Sequence, residues 1–317
     1  MFHIGIIGCG KISGTHVDAL LKMDDVQVRA VCDTDETKRN ATAEKAGAIG
    51  YKNYEEMLRN EALDLVMITL PPALHAECAC KCAESGVNVF VEKPMAVNSE
   101  ECKRIISACN ENHVKLWVGH MQRYAGWIKL AKKAIDSGEY GKVIAINEIR
   151  NTLYPAANSP KWIMNKEFAG GGIMYNLGAH TVDLACFLGD SRVESAAATF
   201  AKGNYSVEDA AFGMLKLKNG VGVTFQLSGK TASERGEIIV YLTDGEIRIA
   251  PWEKVIACGK DGKFKQITDP DISCETPWQT TQLADIVATL KNGEEPKVSG
   301  EYGLNIIEAY EQMSSSK

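Results

Sequence analysis

The segment that ends at Asp33 leaves few folds open. Phe2 to Ile7 is an apolar run that fits a strand, and it leads straight into Gly8-Cys9-Gly10-Lys11-Ile12-Ser13-Gly14. Beyond the glycines, His16, Val17, Leu20 and Leu21 recur at near-helical spacing, and a second apolar run, Val26 to Cys32, stops at Asp33. Strand, glycine-rich turn, helix, strand and terminal acid is the order of a dinucleotide-binding unit. Gly8 supplies the tight turn, Gly10 lets backbone approach a pyrophosphate, and the helix start offers N–H groups and its positive dipole end to that anion. Ser13 stands at the third small position, with Gly14 beside it, and still permits close helix–strand packing. Asp33 lies 23 residues after Gly10, near the interval of about 20 expected for a ribose-binding acid. Its carboxylate would repel a 2′-phosphate, which favours NAD over NADP. Lys38 and Arg39 stand close by and either hold that phosphate or form a solvated helix face. The alternative is a tight turn that binds nothing.

A second feature points the same way. Val87-Asn88-Val89-Phe90-Val91 reads as a short strand buried on both faces, and Glu92-Lys93-Pro94 ends it. The carboxyl ends of strands in a doubly wound sheet open onto the ligand crevice. Lys93 is therefore placed at the rim of a cofactor site, or is an ordinary solvated lysine at a strand end. A cis Lys93–Pro94 bond is compatible with the sequence. Pro71 and Pro72 follow a strand ending near Leu70 and mark another loop at that edge, beside Thr69 and His75. His75 reads as a packing residue at a helix start.

Composition removes several classes of function. The 317 residues suffice for two domains, 45% of them are apolar, and the net charge of −6 comes with no basic block. Nucleic acid is not an expected partner. No stretch approaches the ~18 apolar residues of a membrane span, and the chain enters its first strand without a signal peptide. Ten cysteines without paired spacing suit reduced thiols in a cytoplasm. Of Cys78, Cys80 and Cys82, only the first and last share a helix face, so buried small hydrophobes are expected there and no metal site. Cys9 reads as packing.

The pattern changes along the chain. Residues 1–120 alternate strand and helix, with later strands at Leu65 to Leu70, Val87 to Val91 and Lys115 to Val118. From about residue 142 long alternating strands follow: Lys142 to Thr152, Val193 to Ala201, Ala210 to Lys218, Val221 to Ser228 and Glu237 to Leu242. Asn219-Gly220 and Asp244-Gly245 are hairpin turns. The fold class is α/β: an N-terminal Rossmann domain, 1–120, and a C-terminal α/β domain, 121–317, with an open, mostly antiparallel sheet. A terminal helix over Tyr302 to Met313 packs within the second part or back towards the first.

Gly170-Gly171-Gly172 precedes a helix expected over Ile173 to Leu188. Asn176, His180 and Asp183 fall at i, i+4 and i+7 and share one face. An amide, an imidazole and a carboxylate on an apolar helix are expensive to bury, and they form either a functional stripe or a satisfied core histidine with Asp183 as its support.

Together these stretches resemble the glucose–fructose oxidoreductase and inositol dehydrogenase family, Gfo/Idh/MocA, over essentially the whole chain. The resemblance rests on Gly8-Cys9-Gly10-Lys11-Ile12, Asp33, Thr69-Leu70-Pro71, Glu92-Lys93-Pro94, Val118-Gly119-His120-Met121-Gln122-Arg123-Tyr124, and the glycine run with Asn176, His180 and Asp183. It implies NAD(P)-linked oxidation or reduction of a sugar, cyclitol or nucleotide sugar, and a homodimer or homotetramer built on the open sheet. It assigns the cofactor to Gly8, Gly10, Lys11, Ile12, Asp33, Thr69, Leu70, Pro71, His75, Glu92, Lys93 and Gln122, and the reaction to Lys93, His180 and Asn176. Substrate contacts fall to Arg123, Tyr154, Lys161, Trp162, Asn176 and His180. Trp162 either stacks on a sugar or pins its loop, Arg123 reads better as an ion-pair former, and Lys161 as a solvated lysine. Glu92 tunes Lys93 or, in the preferred reading, anchors its loop.

The family pattern usually carries Asp where this chain has Asn176, and an amide binds a hydroxyl but takes no proton. That departure resembles some nucleotide-sugar dehydrogenases and leaves a sugar amide, uronate or nucleotide sugar open. In the expected mechanism the nicotinamide reaches a crevice between the domains, His180 takes the hydroxyl proton, and Lys93 steadies the charge on that oxygen. Two other classes remain: redox-assisted glycoside hydrolysis with no net NADH, and a regulatory protein that binds NAD without turnover.

Overall fold

The structure, a computed structural model, describes residues 1–155, 159–203, 205–250 and 254–315, without the side chains of 232–234. It divides into two compact units, one of Met1–His120 with Pro277–Leu304, the other of Met121–Thr276 with Asn305–Lys317.

The first unit is a six-stranded parallel sheet. Its strands are β1 (Phe2–Ile7), β2 (Val26–Cys32), β3 (Ile49–Tyr51), β4 (Leu65–Ile68), β5 (Asn88–Glu92) and β6 (Leu116–Gly119), in the order β3-β2-β1-β4-β5-β6. Helices α1 (Lys11–Leu20), α2 (Glu36–Ala46), α3 (Tyr54–Asn60), α4 (His75–Glu84) and α5 (Ser99–Glu111) make the crossovers. All four residues of β4 are buried, as a central strand covered on both faces demands. Short polar side chains fix three helix starts: Asp35 accepts from Lys38 N–H, Asn53 from Glu55 and Glu56, and Asn98 from Glu101. Strand order reverses between β1 and β4, the switch point at which such sheets bind ligands. The carboxyl ends of β1, β4 and β5, and with them Gly8, Thr69 and Lys93, meet there.

The second unit holds α6 (Gly126–Asp136), β7 (Val143–Leu153), α7 (Lys166–Ala169), α8 (Ala179–Leu188), β8 (Val193–Ala201), β9 (Ala210–Leu217), β10 (Gly222–Ser228), β11 (Lys230–Leu242), β12 (Gly245–Ala250), β13 (Lys254–Cys258) and β14 (Phe264–Gln266). The eight strands run β14-β13-β12-β11-β7-β10-β9-β8. Every pairing is antiparallel except β10 with β7, which is parallel. Alternation is plain in β10, where Val223, Phe225 and Leu227 are buried and Gly222 and Thr224 exposed. The expected turns at Asn219-Gly220 and Asp244-Gly245 join β9 to β10 and β11 to β12. The sequence reading did not extend to β3, β12, β13 and β14, strands of three to six residues whose patterns are too short to stand out.

Two helices close the chain, α9 (Trp278–Asn292) and α10 (Gly300–Ser315). Here the domain cut drawn from sequence needs correction. Residues 277–304 pack with the first unit, because Leu283 and Ile286 of α9 enter the same core as Ile4, Ile6, Leu20, Phe90 and Trp117. Chain order alone gave no sign of that return. A fully buried leucine side chain contributes roughly 1.5–3 kcal/mol, and truncation adds a cavity cost. Leu283→Ala should therefore lower stability by about 2–5 kcal/mol. Hydrogen exchange should show the loss in β1, β4 and β5; protection lost only in the second unit would contradict this placement.

Candidate active site

The glycine turn is shaped by its neighbours. Gly8 has φ +97, and a Cβ there would lie 2.9 Å from the Thr69 carbonyl oxygen, so no other residue fits without displacing β4. The Thr69 hydroxyl donates to the Gly8 carbonyl at 2.6 Å. Asp33 Oδ2 accepts the Cys9 N–H at 2.7 Å and Oδ1 accepts the Asp35 N–H at 2.8 Å. An ionised carboxylate has about four acceptor positions, so Asp33 builds the turn and keeps capacity for ribose hydroxyls. Gly10 begins α1 in an extended conformation and brings no side chain to cap it. The first-turn N–H groups at Lys11 and Ile12 are thus left for an anion. Lys38 pairs with Asp35 at 3.1 Å, and Arg39 donates to the Asp33 carbonyl at 2.9 Å, so both cations are engaged locally. Burial pushes the Cys9 thiol up to about 11, which keeps it protonated and unreactive at neutral pH. A half-buried carboxylate, an uncapped helix start and a glycine turn form a donor and acceptor set that fits NAD.

At the end of β5, Glu92 is 5% exposed. Its Oε1 stands 2.7 Å from His16 Nε2 on α1, and its Oε2 accepts the Lys93 N–H at 3.1 Å. Burial alone would raise this carboxyl; the bond from His16 and the neighbouring Lys93 outweigh it, and the group sits below the usual carboxylate range. Anchoring, the preferred sequence reading of Glu92, is its visible role. Lys93 follows, half-buried, with a cis bond to Pro94. His75 is fully buried, with Nε2 2.8 Å from the Leu70 carbonyl and Nδ1 3.1 Å from that of Pro94. Burial pushes its imidazole down, against the pull of those carbonyls. His75 therefore ties the loop carrying Leu70 and Pro71 to the loop after Lys93. Glu92 and His75 were expected to touch the cofactor; their polar atoms are spent on the protein, and they support the site from behind.

In the second unit the glycine run is a close approach to another strand. A Cβ on Gly172 would fall 2.0 Å from the Glu208 carbonyl oxygen. The Glu208 carboxylate accepts the Gly172 N–H at 2.8 Å, and its carbonyl accepts the Ile173 N–H at 2.9 Å. The following helix differs from expectation: Met174–Gly178 is a π-turn, and the α-helix resumes at Ala179. The wider turn rotates everything after it relative to Asn176, so the expected single face does not continue to Asp183. Asn176 is half-buried in the π-turn, and His180 is 3% exposed one turn on. The Tyr154 phenol, raised by burial, feels the Asn176 amide and the Glu208 charge, which brings three polar groups from three segments together.

Asp183 is fully buried and held by Arg123, whose Nε lies 3.1 Å from Oδ1 and whose Nη2 also bonds it. The guanidinium stacks over Phe187 at 4.9 Å. Arg123 is thus the ion-pair former anticipated, placed by the structure behind the helix. Gln122 accepts from Arg150 at 3.1 Å, and Arg150 also binds the buried Glu148 at 2.6 Å. Lys161 is exposed and Trp162 half-buried in a short 3₁₀ turn. Residues 156–158, before them, lie outside the described set. Cys78 and Cys82 are buried on one face of α4, as expected, while Cys80 is not.

Comparison with known proteins identifies the class. Residues 2–120 match the oxidoreductase family with an NAD-binding Rossmann fold, and residues 128–248 match the GFO/IDH/MocA C-terminal domain. The chain belongs to the GFO/IDH/MocA family and is an NAD-dependent oxidoreductase. It is 28% identical over 265 residues to Oxidoreductase P35 of Formosa agariphila, covering 81% of this chain and 82% of that one. It is 26% identical over 314 residues to the myo-inositol 2-dehydrogenase of Thermotoga maritima, covering 95% and 91%. The WlbA dehydrogenase of Bordetella pertussis, solved with NADH and UDP-GlcNAcA, superposes with a TM-score of 0.84 at 25% identity, covering 99% and 97%.

Three site residues escaped the sequence reading as polar groups. His16 was read only as one member of a helical repeat, Glu208 lies on a strand far along the chain, and Arg150 alternates into a sheet face. Only His16 left a signal, a titratable residue on the buried stripe of α1. Because Asp33 carries both the ribose charge term and the Cys9 N–H, Asp33→Ser should lower kcat/KM with NAD by about tenfold, the value of one charge-assisted hydrogen bond. Use of NADP should rise in the same assay. An unchanged NAD to NADP ratio would remove the ribose role from Asp33.

Proposed function

We propose that this protein oxidises a secondary alcohol of a sugar, cyclitol or nucleotide sugar. The observation that carries the reading is the position of Lys93, an ammonium at the carboxyl end of a central strand of the NAD-binding sheet, on backbone locked by Glu92. The relatives support the substrate class, since one is named for myo-inositol and another was solved with a nucleotide sugar.

Bound NAD supplies the hydride acceptor. Gly8, Gly10 and the first turn of α1 hold its pyrophosphate, Asp33 accepts from the adenosine ribose, and Thr69, Leu70 and Pro71 line the approach. His180 takes the proton of the substrate hydroxyl as general base, and Lys93 donates a hydrogen bond to the same oxygen, where charge gathers. Asn176 and Tyr154 orient neighbouring hydroxyls, with the amide unable to exchange a proton. Trp162 packs beside the sugar. The reading requires Lys93 and His180 to reach one substrate oxygen.

Incubation with NAD and a panel of polyols, uronates and nucleotide sugars should give NADH absorbance with at least one class. Lys93→Ala and His180→Ala should each cut kcat by about 10²–10⁴-fold while largely sparing NAD affinity. Full turnover by either variant would remove that residue from the mechanism.

The chain is further proposed to act as a homodimer or homotetramer in a reducing cytoplasm. Ten thiols, none in a disulfide, support the compartment. The open sheet supports the assembly. Ladder register carries from Phe264 through Cys258, Glu246, Tyr241, Ala145 and Gly222 to Lys216, so Phe264, Tyr241, Met214 and Phe212 share one face. These four are 40–60% exposed, a concentration of apolar surface that marks an interaction face. Sedimentation should show an oligomer that Phe212→Lys with Met214→Lys dissociates; a monomeric wild type would contradict the assembly.

A further inference from the structure

The strand end that presents Lys93 is joined to the coenzyme helix by a buried pair with no part in the steps above. His16, in the second turn of α1, is 0% exposed. Its Nε2 stands 2.7 Å from Glu92 Oε1, and its ring meets Phe90 edge-on at 5.5 Å. Nδ1 of His16 has no hydrogen-bond partner among the described residues. A cationic ring would bury a second N–H with nothing to receive it, at a cost of about 1–3 kcal/mol. The neutral tautomer with its proton on Nε2 fits the pocket, and that proton goes to Glu92. A carboxylate so enclosed stays ionised only where donors or a cation stand by. Glu92 is faced by His16 from α1, by Lys93 from its own loop and by His75 from α4, while β6 brings only Gly119, whose Cβ would lie 3.0 Å from Oε2. Burial holds His75 towards the neutral form. Lys93 is then the cation that balances Glu92.

We propose that His16 is a positioning residue: its Nε2–H holds Glu92 as a carboxylate, and that carboxylate holds Lys93 as an ammonium. The consequence for turnover rests on the role of Lys93 given above, whereas the electrostatic consequence does not. Remove the His16 donor and the buried carboxylate is harder to keep ionised. As it takes up a proton, Lys93 loses its counter-charge and its own proton leaves at lower pH. Opposite charges within about 4–6 Å shift a titration by roughly 1–3 units. Partial loss should lower the Lys93 midpoint by about one unit, and the alkaline limb of kcat/KM, where the ammonium disappears, should follow.

The test is a ¹³Cε titration of lysine in the NAD-bound full chain, with Lys93→Arg used to assign the signal. Wild type, His16→Phe, His16→Gln and Glu92→Gln are compared, with kcat/KM against pH measured alongside. Expected are midpoints lowered by about one unit in His16→Phe and Glu92→Gln, no further shift when the two are combined, and recovery in His16→Gln, whose amide again donates. An unmoved Lys93 midpoint in Glu92→Gln overturns the proposal, and that comparison stands even where His16→Phe fails to fold. A moved midpoint with an unmoved pH–rate profile upholds the positioning role and instead removes Lys93 from the reaction.

Discussion

The site depends on one buried carboxylate. Glu92 closes β5, receives His16 from α1 on one oxygen and the Lys93 backbone on the other, and thereby joins the helix that meets a pyrophosphate to the residue that meets a substrate. Burying that charge is favourable only because both oxygens are occupied. His75 repeats the device with an imidazole between two loops, and Asp33 repeats it between the end of β2 and the glycine turn. In each case a side chain of functional type is turned inward to hold backbone. The groups left facing outward are few: the first turn of α1, the remaining acceptors of Asp33, and Lys93.

The second unit solves its problem differently. Its helix must bring Asn176 and His180 out of an apolar stretch, and the sequence does this with three glycines packed on Glu208 and a π-turn after them. The glycines are there for contact distance, since a methyl group on Gly172 would overlap the Glu208 carbonyl. The π-turn frees Asp183 from the face shared by Asn176 and His180. Asp183 then forms a buried pair with Arg123 that fixes the helix against the segment following β6. Breaking such a pair on one side costs roughly 3–5 kcal/mol, so Arg123 and Asp183 restrain the position of His180 without meeting substrate.

Much of this was legible in the residues. The turn from Gly8 to Gly14, the acid at Asp33 and the strand stop at Lys93-Pro94 each follow from a local rule, and each falls at the switch point of the sheet. The long alternating strands from Val143 onward were equally plain. What stayed hidden was non-local. The return of α9 to the first core depends on which hydrophobic surface Leu283 and Ile286 find, and periodicity does not carry that information. The partners of His16 and Glu208 lie 76 and 36 residues away. The π-turn left no mark in the pattern, so a helix drawn with uniform spacing placed Asp183 beside His180 and missed Arg123.

Central to the account is the meeting of an ammonium and an imidazole at one oxygen of the substrate. The structure of the protein with NADH and a bound substrate or unreactive analogue tests it most directly. Lys93 Nζ and His180 Nε2 should both lie within about 3 Å of the oxygen on the carbon that exchanges hydride. A complex competent for turnover in which either nitrogen contacts a different oxygen, or none, would contradict it.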